Sequence, residues 1–118
     1  MQAVYVNGVK VLVTNMGEVD AGSLQKAASS LGESLGDPSM VLLGSTPPGG
    51  KVSLVAAFSE SLVKERKMNA GKFVGGLAKL CGGGGGGKPA LAQAGGKNVE
   101  KLPEALRAGE EQLREMLA

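Results

Sequence analysis

Six consecutive glycines, residues 82–87, constrain the fold of this chain more than any other feature of its sequence. Glycine has a low propensity for both helices and strands, so the tract itself specifies neither. Lys88 and Pro89 follow it, and a second glycine pair with its own lysine occupies residues 95–97. We predict a surface loop over residues 82–88 that interrupts an otherwise ordinary apolar pattern.

The length of 118 residues predicts one domain, residues 1–118. Only Tyr5, Phe58 and Phe73 are aromatic, so the core must consist mainly of Val, Leu and Ala. No apolar run approaches the ~20 residues that span a bilayer, and no apolar segment at the start indicates export. We therefore expect no membrane partner. Because Cys81 is the single cysteine, the chain has no disulfide framework and is expected in a reducing compartment.

The sequence contains no histidine. A nucleophile system of the Ser-His-Asp or Cys-His type therefore cannot be built within it, and neither can the common Cys/His zinc site. We expect no catalytic residue, no bound metal and no cofactor. Because aromatic residues are also scarce, a surface that stacks nucleic-acid bases is not favoured.

The charges are segregated along the chain. Residues 1–63 have a net charge of −2, residues 64–101 a net charge of +6, and residues 102–118 a net charge of −2. The glycine tract lies inside the one strongly basic segment. This distribution favours an anionic partner, although a solvated basic face is also compatible with it.

Residue patterns predict the element order β-β-α-β-β-α-loop-β-α, which is an α/β domain with a mixed sheet covered by helices. Asn7-Gly8 between two valine-rich runs predicts a hairpin. Helical spacing of Leu and Ala behind Asp20 predicts a helix that ends at Gly36. The segments SMVLLGS and KVSLVAAFS predict two more strands, of which the first is apolar on both faces and therefore central.

A further helix is predicted to begin after the capping residue Asn69. Its lysines, Lys72 and Lys79, are seven residues apart and share one face. Gly75 and Gly76 lie between them, and their missing side chains favour either the approach of another backbone or close packing on the sheet. The opposite, apolar face is predicted to hold Phe73, Leu77 and Leu80.

The glycine tract fits part of a phosphate-binding loop, because residues 82–88 match G-x-x-x-x-G-K. Pro89, however, stands where Ser or Thr must bind Mg²⁺, and the tract follows a helix rather than a strand. Nucleotide hydrolysis is therefore disfavoured. Two interpretations remain open: a flexible loop, or backbone N–H groups that hold nucleic-acid phosphates together with Lys88, Lys97 and Gln93.

Residues 81–98, CGGGGGGKPALAQAGGKN, and the following LPEALR resemble the C-terminal domain of alanyl-tRNA synthetases, called C-Ala. That domain belongs to the DHH-associated family, which includes RecJ-type nucleases and related phosphoesterases. The segments VNGVKVLVT, MVLLGS and KVSLVAAFSESLVK are also similar, so the resemblance covers nearly the whole chain. Relatives of the nuclease type usually carry a histidine in this loop, and its absence here favours a binding domain.

The resemblance implies a module that binds tRNA, alanine-specific by family, and supports aminoacylation and editing, in the cytoplasm or inside an organelle. The catalytic and editing regions are absent from these residues, so we expect a fragment or a free-standing relative. Alternatives are a protein-interaction or self-association domain, and an accessory domain of a DHH-type phosphoesterase. The residues expected to contact nucleic acid are Lys72, Lys79, Gly82, Gly83, Gly84, Gly85, Gly86, Gly87, Lys88, Gln93, Gly95, Gly96 and Lys97.

Overall fold

The computed structural model describes residues 3–117, with six strands and four α-helices in that range. The strands are β1 (Val4–Val6), β2 (Val9–Asn15), β3 (Ser39–Ser45), β4 (Val52–Phe58), β5 (Gly84–Gly87) and β6 (Leu91–Gly96). The helices are α1 (Ala21–Leu35), α2 (Glu60–Glu65), α3 (Ala70–Leu80) and α4 (Leu102–Leu117), and a short 3₁₀ turn, Val99–Lys101, precedes α4.

The strands form one mixed sheet in the order β1-β2-β3-β4-β6-β5. Strands β2 and β3 are parallel, and all other neighbouring pairs are antiparallel. Helix α1 packs on one face of the sheet, and α3 and α4 pack on the other. The predicted α/β class, with a mixed sheet covered by helices, is confirmed.

Strand β3 supplies both hydrophobic cores by simple alternation of its side chains. Met40 and Leu42 join the cluster with α3 and α4, whereas Val41 and Leu43 join the cluster with α1. All seven residues of β3 are buried, which confirms the central, covered position expected from its apolar sequence.

Local signals in the sequence act where they are expected. Asn7 and Gly8 have φ of 50° and 83°, as a tight hairpin turn requires. The side chain of Asp20 accepts the backbone N–H of Ser23 at the start of α1, and Asn69 accepts that of Lys72 at the start of α3. These caps satisfy N–H groups that a helix leaves without partners.

The glycine tract departs from the sequence expectation, because residues 84–87 form the edge strand β5 rather than part of a loop. Strand β6 supplies its backbone partners and α3 packs against it, so tertiary contacts replace the missing strand propensity. N–H groups alternate in direction along a strand, and those of β5 therefore do not converge on one concavity.

Leu80 also departs from expectation, since it is 41% exposed. It lies one turn after the exposed Gly76, beyond the face that α3 turns to the sheet. Val74 and Ala78 are buried there instead, beside Phe73 and Leu77.

Candidate nucleic-acid interface

An open groove of about 520 Å³ runs between α3 and β5. The helix lines it with Lys72 and Lys79, and the glycine backbone of β5 forms the opposite wall. Asn69, the cap of α3, also lines it. The fold thus brings two of the predicted lysines together with four of the predicted glycines, residues 84–87.

The groove is shallow because β5 lies directly against α3. A Cβ atom added to Gly71 would stand 2.8 Å from the carbonyl oxygen of Gly87, and one added to Gly75 would stand 2.9 Å from that of Gly85. The two alternatives for Gly75 coincide in the structure, because the backbone that approaches it belongs to β5, the edge strand of the sheet on which α3 packs. Gly76, by contrast, faces open space.

The charged side chains that line the groove, Lys72 and Lys79, are both positive. No carboxylate lines it, and none of the ion pairs found among residues 3–117 involves Lys72 or Lys79. The two lysines are seven positions apart on α3, which corresponds to about 10 Å along the axis. Their side chains therefore start near opposite ends of the helix.

Several predicted residues lie outside this groove. Lys88 is in the turn between β5 and β6, where its backbone N–H donates to the carbonyl of Leu91. Lys97 follows β6, and its backbone N–H donates to the carbonyl of Cys81 at 2.8 Å. Gly96 packs against that same carbonyl, which would lie 2.5 Å from an added Cβ.

The remaining glycines have structural surroundings. Gly82 and Gly83 connect α3 to β5, and an added Cβ at Gly83 would stand 1.9 Å from the carbonyl oxygen of Gly95. Gly95 pairs with Ser53 on one side and with Gly84 on the other. These positions shape the hairpin and do not line the groove.

Gln93 lies on the opposite face of the sheet from α3. Its neighbours Ala92 and Ala94 are buried in the cluster that contains the residues of α3. Side chains alternate along a strand, so half-buried Gln93 shares the other face with Leu91, which packs in the cluster beneath α1. The structure therefore does not bring Gln93 together with Lys72 and Lys79.

Cys81 is a core residue, which fits its small apolar character. Its side chain is buried, and burial raises the pKa of the thiol above its ordinary value. The thiolate that nucleophilic or redox chemistry needs is therefore disfavoured. Its backbone carbonyl accepts the N–H groups of Lys97 and Asn98 and joins the end of α3 to the end of β6.

The sequence reasoning missed Asn69 and Gly71 as groove residues. Asn69 is recognisable from the sequence only as a helix cap. Gly71 has a signal in retrospect, since it precedes Gly75 by one helical turn and two glycines at that spacing leave one face of a helix bare. Such a face admits a strand at backbone distance.

A membrane-spanning helix and a metal-binding cluster are both absent from the part of the chain that the structure describes. None of its helices has the length and apolar character needed to cross a membrane. Its Cys, Asp and Glu side chains form no group of three or more that could hold a metal ion.

Comparisons with known proteins agree on one family. The DHHA1 domain matches residues 8–115. The alanine–tRNA ligase of Picosynechococcus is 61% identical over 112 residues, which make up 95% of this chain and 13% of that protein. The chloroplastic/mitochondrial alanine–tRNA ligase of Sorghum bicolor is 62% identical over 98 residues, or 83% of this chain and 10% of that protein. The chain thus spans a small part of these curated relatives.

A solved structure gives the same result. The crystal structure of the C-Ala domain from Aquifex aeolicus alanyl-tRNA synthetase matches with a TM-score of 0.79 at 30% identity, covering 99% of this chain and 98% of that one. A DHH-domain structure from a member of a family of ribosomal proteins shares the fold, with a TM-score of 0.65 at 22% identity over 28% of its chain.

Proposed function

Because the chain belongs to the DHHA1 domain family, as the C-Ala domain of an alanine–tRNA ligase, we propose that it binds tRNA and catalyses no reaction by itself. Phosphates of the tRNA backbone lie along the α3–β5 groove in this proposal. Its other partners are the aminoacylation and editing regions of the parent ligase, in the cytoplasm or the interior of an organelle. Binding through this domain keeps one tRNA available to both activities.

One observation carries the proposal: two lysines that form no ion pair within residues 3–117 share a groove with a bare glycine backbone, and none of the described carboxylates lines it. Lysine ammonium groups and backbone N–H groups are common donors to phosphate oxygens. A wall without side chains lets a bulky backbone approach closely. Contacts of this kind orient a nucleic acid without reading its bases.

The first prediction concerns the lysines. Lys72→Ala and Lys79→Ala should each weaken tRNA binding, because each removes a phosphate contact worth about 1 kcal/mol or more at low salt. Each should also reduce the slope of log K against log salt by about 0.7–0.9. The measurement is a titration with tRNA at several salt concentrations.

Lys26→Ala is the matched control, because Lys26 is an exposed lysine on α1, on the other face of the sheet. It removes the same net charge and should change affinity much less. Gly84→Ala tests the glycine wall, because its added Cβ would enter open space. It should leave folding intact and weaken tRNA binding by hindering the approach of the tRNA backbone to β5. Equal losses for Lys26→Ala and Lys72→Ala would contradict the groove as the contact site.

A second prediction is that binding occurs without chemistry. The chain has no histidine, and the pKa of its one thiol is raised by burial. The purified chain should therefore neither hydrolyse ATP nor attach alanine to tRNA. Turnover of labelled ATP that disappears in Lys88→Ala would overturn this expectation, because Lys88 is the residue that a nucleotide-binding loop would use.

Self-association is an alternative to tRNA binding, and one feature of the structure favours it. Strand β5 lies at the end of the sheet with a neighbour on one side only, and an open strand edge can pair with another strand. Sedimentation of the free chain separates the two functions. Salt-insensitive dimers without any tRNA binding would favour the alternative over the proposal.

A further inference from the structure

A second groove, of about 500 Å³, lies where the turn between α2 and α3 meets the last turns of α4. None of the residues that line it is acidic. The inference depends on four of its lining residues: Arg66, Lys67, Asn69 and Lys72. On the α4 side, the groove is lined by Gln112 and Met116.

Within residues 3–117, no acidic side chain lines this groove or pairs with its cationic side chains. Lys64, on the last turn of α2, forms an ion pair with Glu60 one turn earlier. Arg66 and Lys67 are exposed, and none of the ion pairs among residues 3–117 involves either of them. Their charged groups are therefore available to an anion from outside the chain.

The backbone at Lys67 supports a role other than folding. Its φ is 54°, in the left-handed region that a Cβ disfavours and that glycine therefore occupies most readily. The turn is held from both sides: the N–H of Met68 donates to the carbonyl of Leu62 at 3.2 Å, and both of these side chains are buried. Folding alone would favour glycine at position 67, yet the chain has a lysine there.

The second groove continues the first. Asn69 and Lys72 line both of them. Four cationic side chains, Arg66, Lys67, Lys72 and Lys79, therefore follow one side of α3 from before its start almost to its end. An anion long enough to fill the first groove can extend into the second without leaving the protein surface.

We propose that Arg66 and Lys67 form a second phosphate-binding site, which holds the tRNA backbone on the far side of Lys72 from β5. This inference rests on the proposed function. A phosphodiester backbone is the fitting ligand because guanidinium and ammonium groups are its usual donors. Base stacking is not available in this groove, since Phe73, its one aromatic side chain, is buried.

Lys67→Gly gives a sharp test, because folding and binding should respond in opposite directions. Glycine relieves the left-handed strain, so the melting temperature should hold or rise. Loss of the ammonium group should weaken tRNA binding about 3- to 10-fold at low salt and reduce the salt slope by about 0.7–0.9. Arg66→Ala should weaken binding similarly, and Lys26→Ala, which removes a charge from the α1 side, should change it much less.

The outcomes separate this inference from the proposed function. If Lys72→Ala and Lys79→Ala weaken binding while Lys67→Gly and Arg66→Ala bind tRNA like the wild-type chain, the second site is wrong and the first groove stands. If the wild-type chain does not bind tRNA, both proposals fall together. Weaker binding by Lys67→Gly with an unchanged or higher melting temperature supports the second site, because a purely structural role predicts no loss.

Discussion

Asp37 shows how one residue can join three parts of the fold. Its Oδ1 atom accepts the hydroxyl groups of Ser59 at 2.6 Å and Ser61 at 2.5 Å, just before and within α2. The Ser59 hydroxyl oxygen in turn accepts the backbone N–H of Ser39, at the start of β3. The two serine hydroxyls lower the pKa of Asp37 below its ordinary value.

A pH dependence of stability follows from this lowered pKa. A carboxyl group whose pKa is lower in the folded state stabilises the fold above its unfolded pKa of about 3.9, and that contribution disappears as the pH falls through the folded pKa. The difference in free energy of unfolding between wild type and Asp37→Asn should thus be constant above about pH 5 and shrink below about pH 4. Urea unfolding across this range measures it.

Glu115→Gln, which replaces an exposed carboxylate on α4 with the neutral amide in the same way, is the charge-matched control. If the difference in free energy of unfolding between wild type and Asp37→Asn stays unchanged down to pH 2, the hydrogen bonds do not depend on the charge of Asp37.

Among the elements, α3 carries two adjacent glycines with opposite surroundings. Alanine at either position should favour the helix by up to about 1 kcal/mol. At Gly75, however, the new methyl group would meet the Gly85 carbonyl at 2.9 Å and push β5 away, whereas at Gly76 it would enter open space. We predict that Gly76→Ala raises the melting temperature and that Gly75→Ala lowers it.

Hydrogen exchange of residues 84–87 provides the second measurement for this pair. Gly75→Ala should speed their exchange, because β5 loses its packing against α3, and Gly76→Ala should leave it unchanged. Equal stabilisation by both substitutions would mean that β5 does not lie as close to α3 as described.

Elements that carry their own signals could be predicted from the sequence. Helix α1 has a cap, a period and a terminating glycine, and β3 has a continuous apolar run. Strand β5 could not be predicted, because its structure comes from β6 and α3 and not from its own residues. The exposed Leu80 was missed for a related reason: which helical face is buried depends on where the neighbouring strand lies.

For the whole molecule, the sheet should exchange its amide hydrogens in order of depth. Strand β3 is buried along its full length with a partner on each side, whereas β5 is exposed and has a partner on one side only. Local opening is easiest where few buried contacts must break. Exchange should therefore be slowest in β3 and β4 and fastest, among the strands, in β1 and β5. Protection of β5 equal to that of β3 would contradict this order.

The sequence could predict which segment of the chain holds the candidate site, but not which of its residues share one surface. Composition locates the excess of positive charge in residues 64–101, and that segment supplies every cationic side chain that lines the two grooves. The fold then separates the residues that were predicted to contact nucleic acid. It places Lys72 and Lys79 beside β5 and Gln93 on the other face of the sheet. Lys88 and Lys97 lie at the two ends of the β5–β6 hairpin. Which side chains share a surface depends on contacts between elements that are distant in sequence.

The glycine tract also determines how this chain can drift over generations. Gly83 and Gly85 have backbone atoms of the neighbouring strand at 1.9 Å and 2.5 Å from an added Cβ, so the fold itself disfavours any replacement there, and Gly87 is nearly as tight at 3.0 Å. Gly84 has nothing within 4 Å, and Gly86 has only an ordinary contact at 3.9 Å. Selection for folding would let these two positions vary. Lineages that keep glycine at both of them therefore record a constraint imposed from outside the chain, by whatever lies on β5.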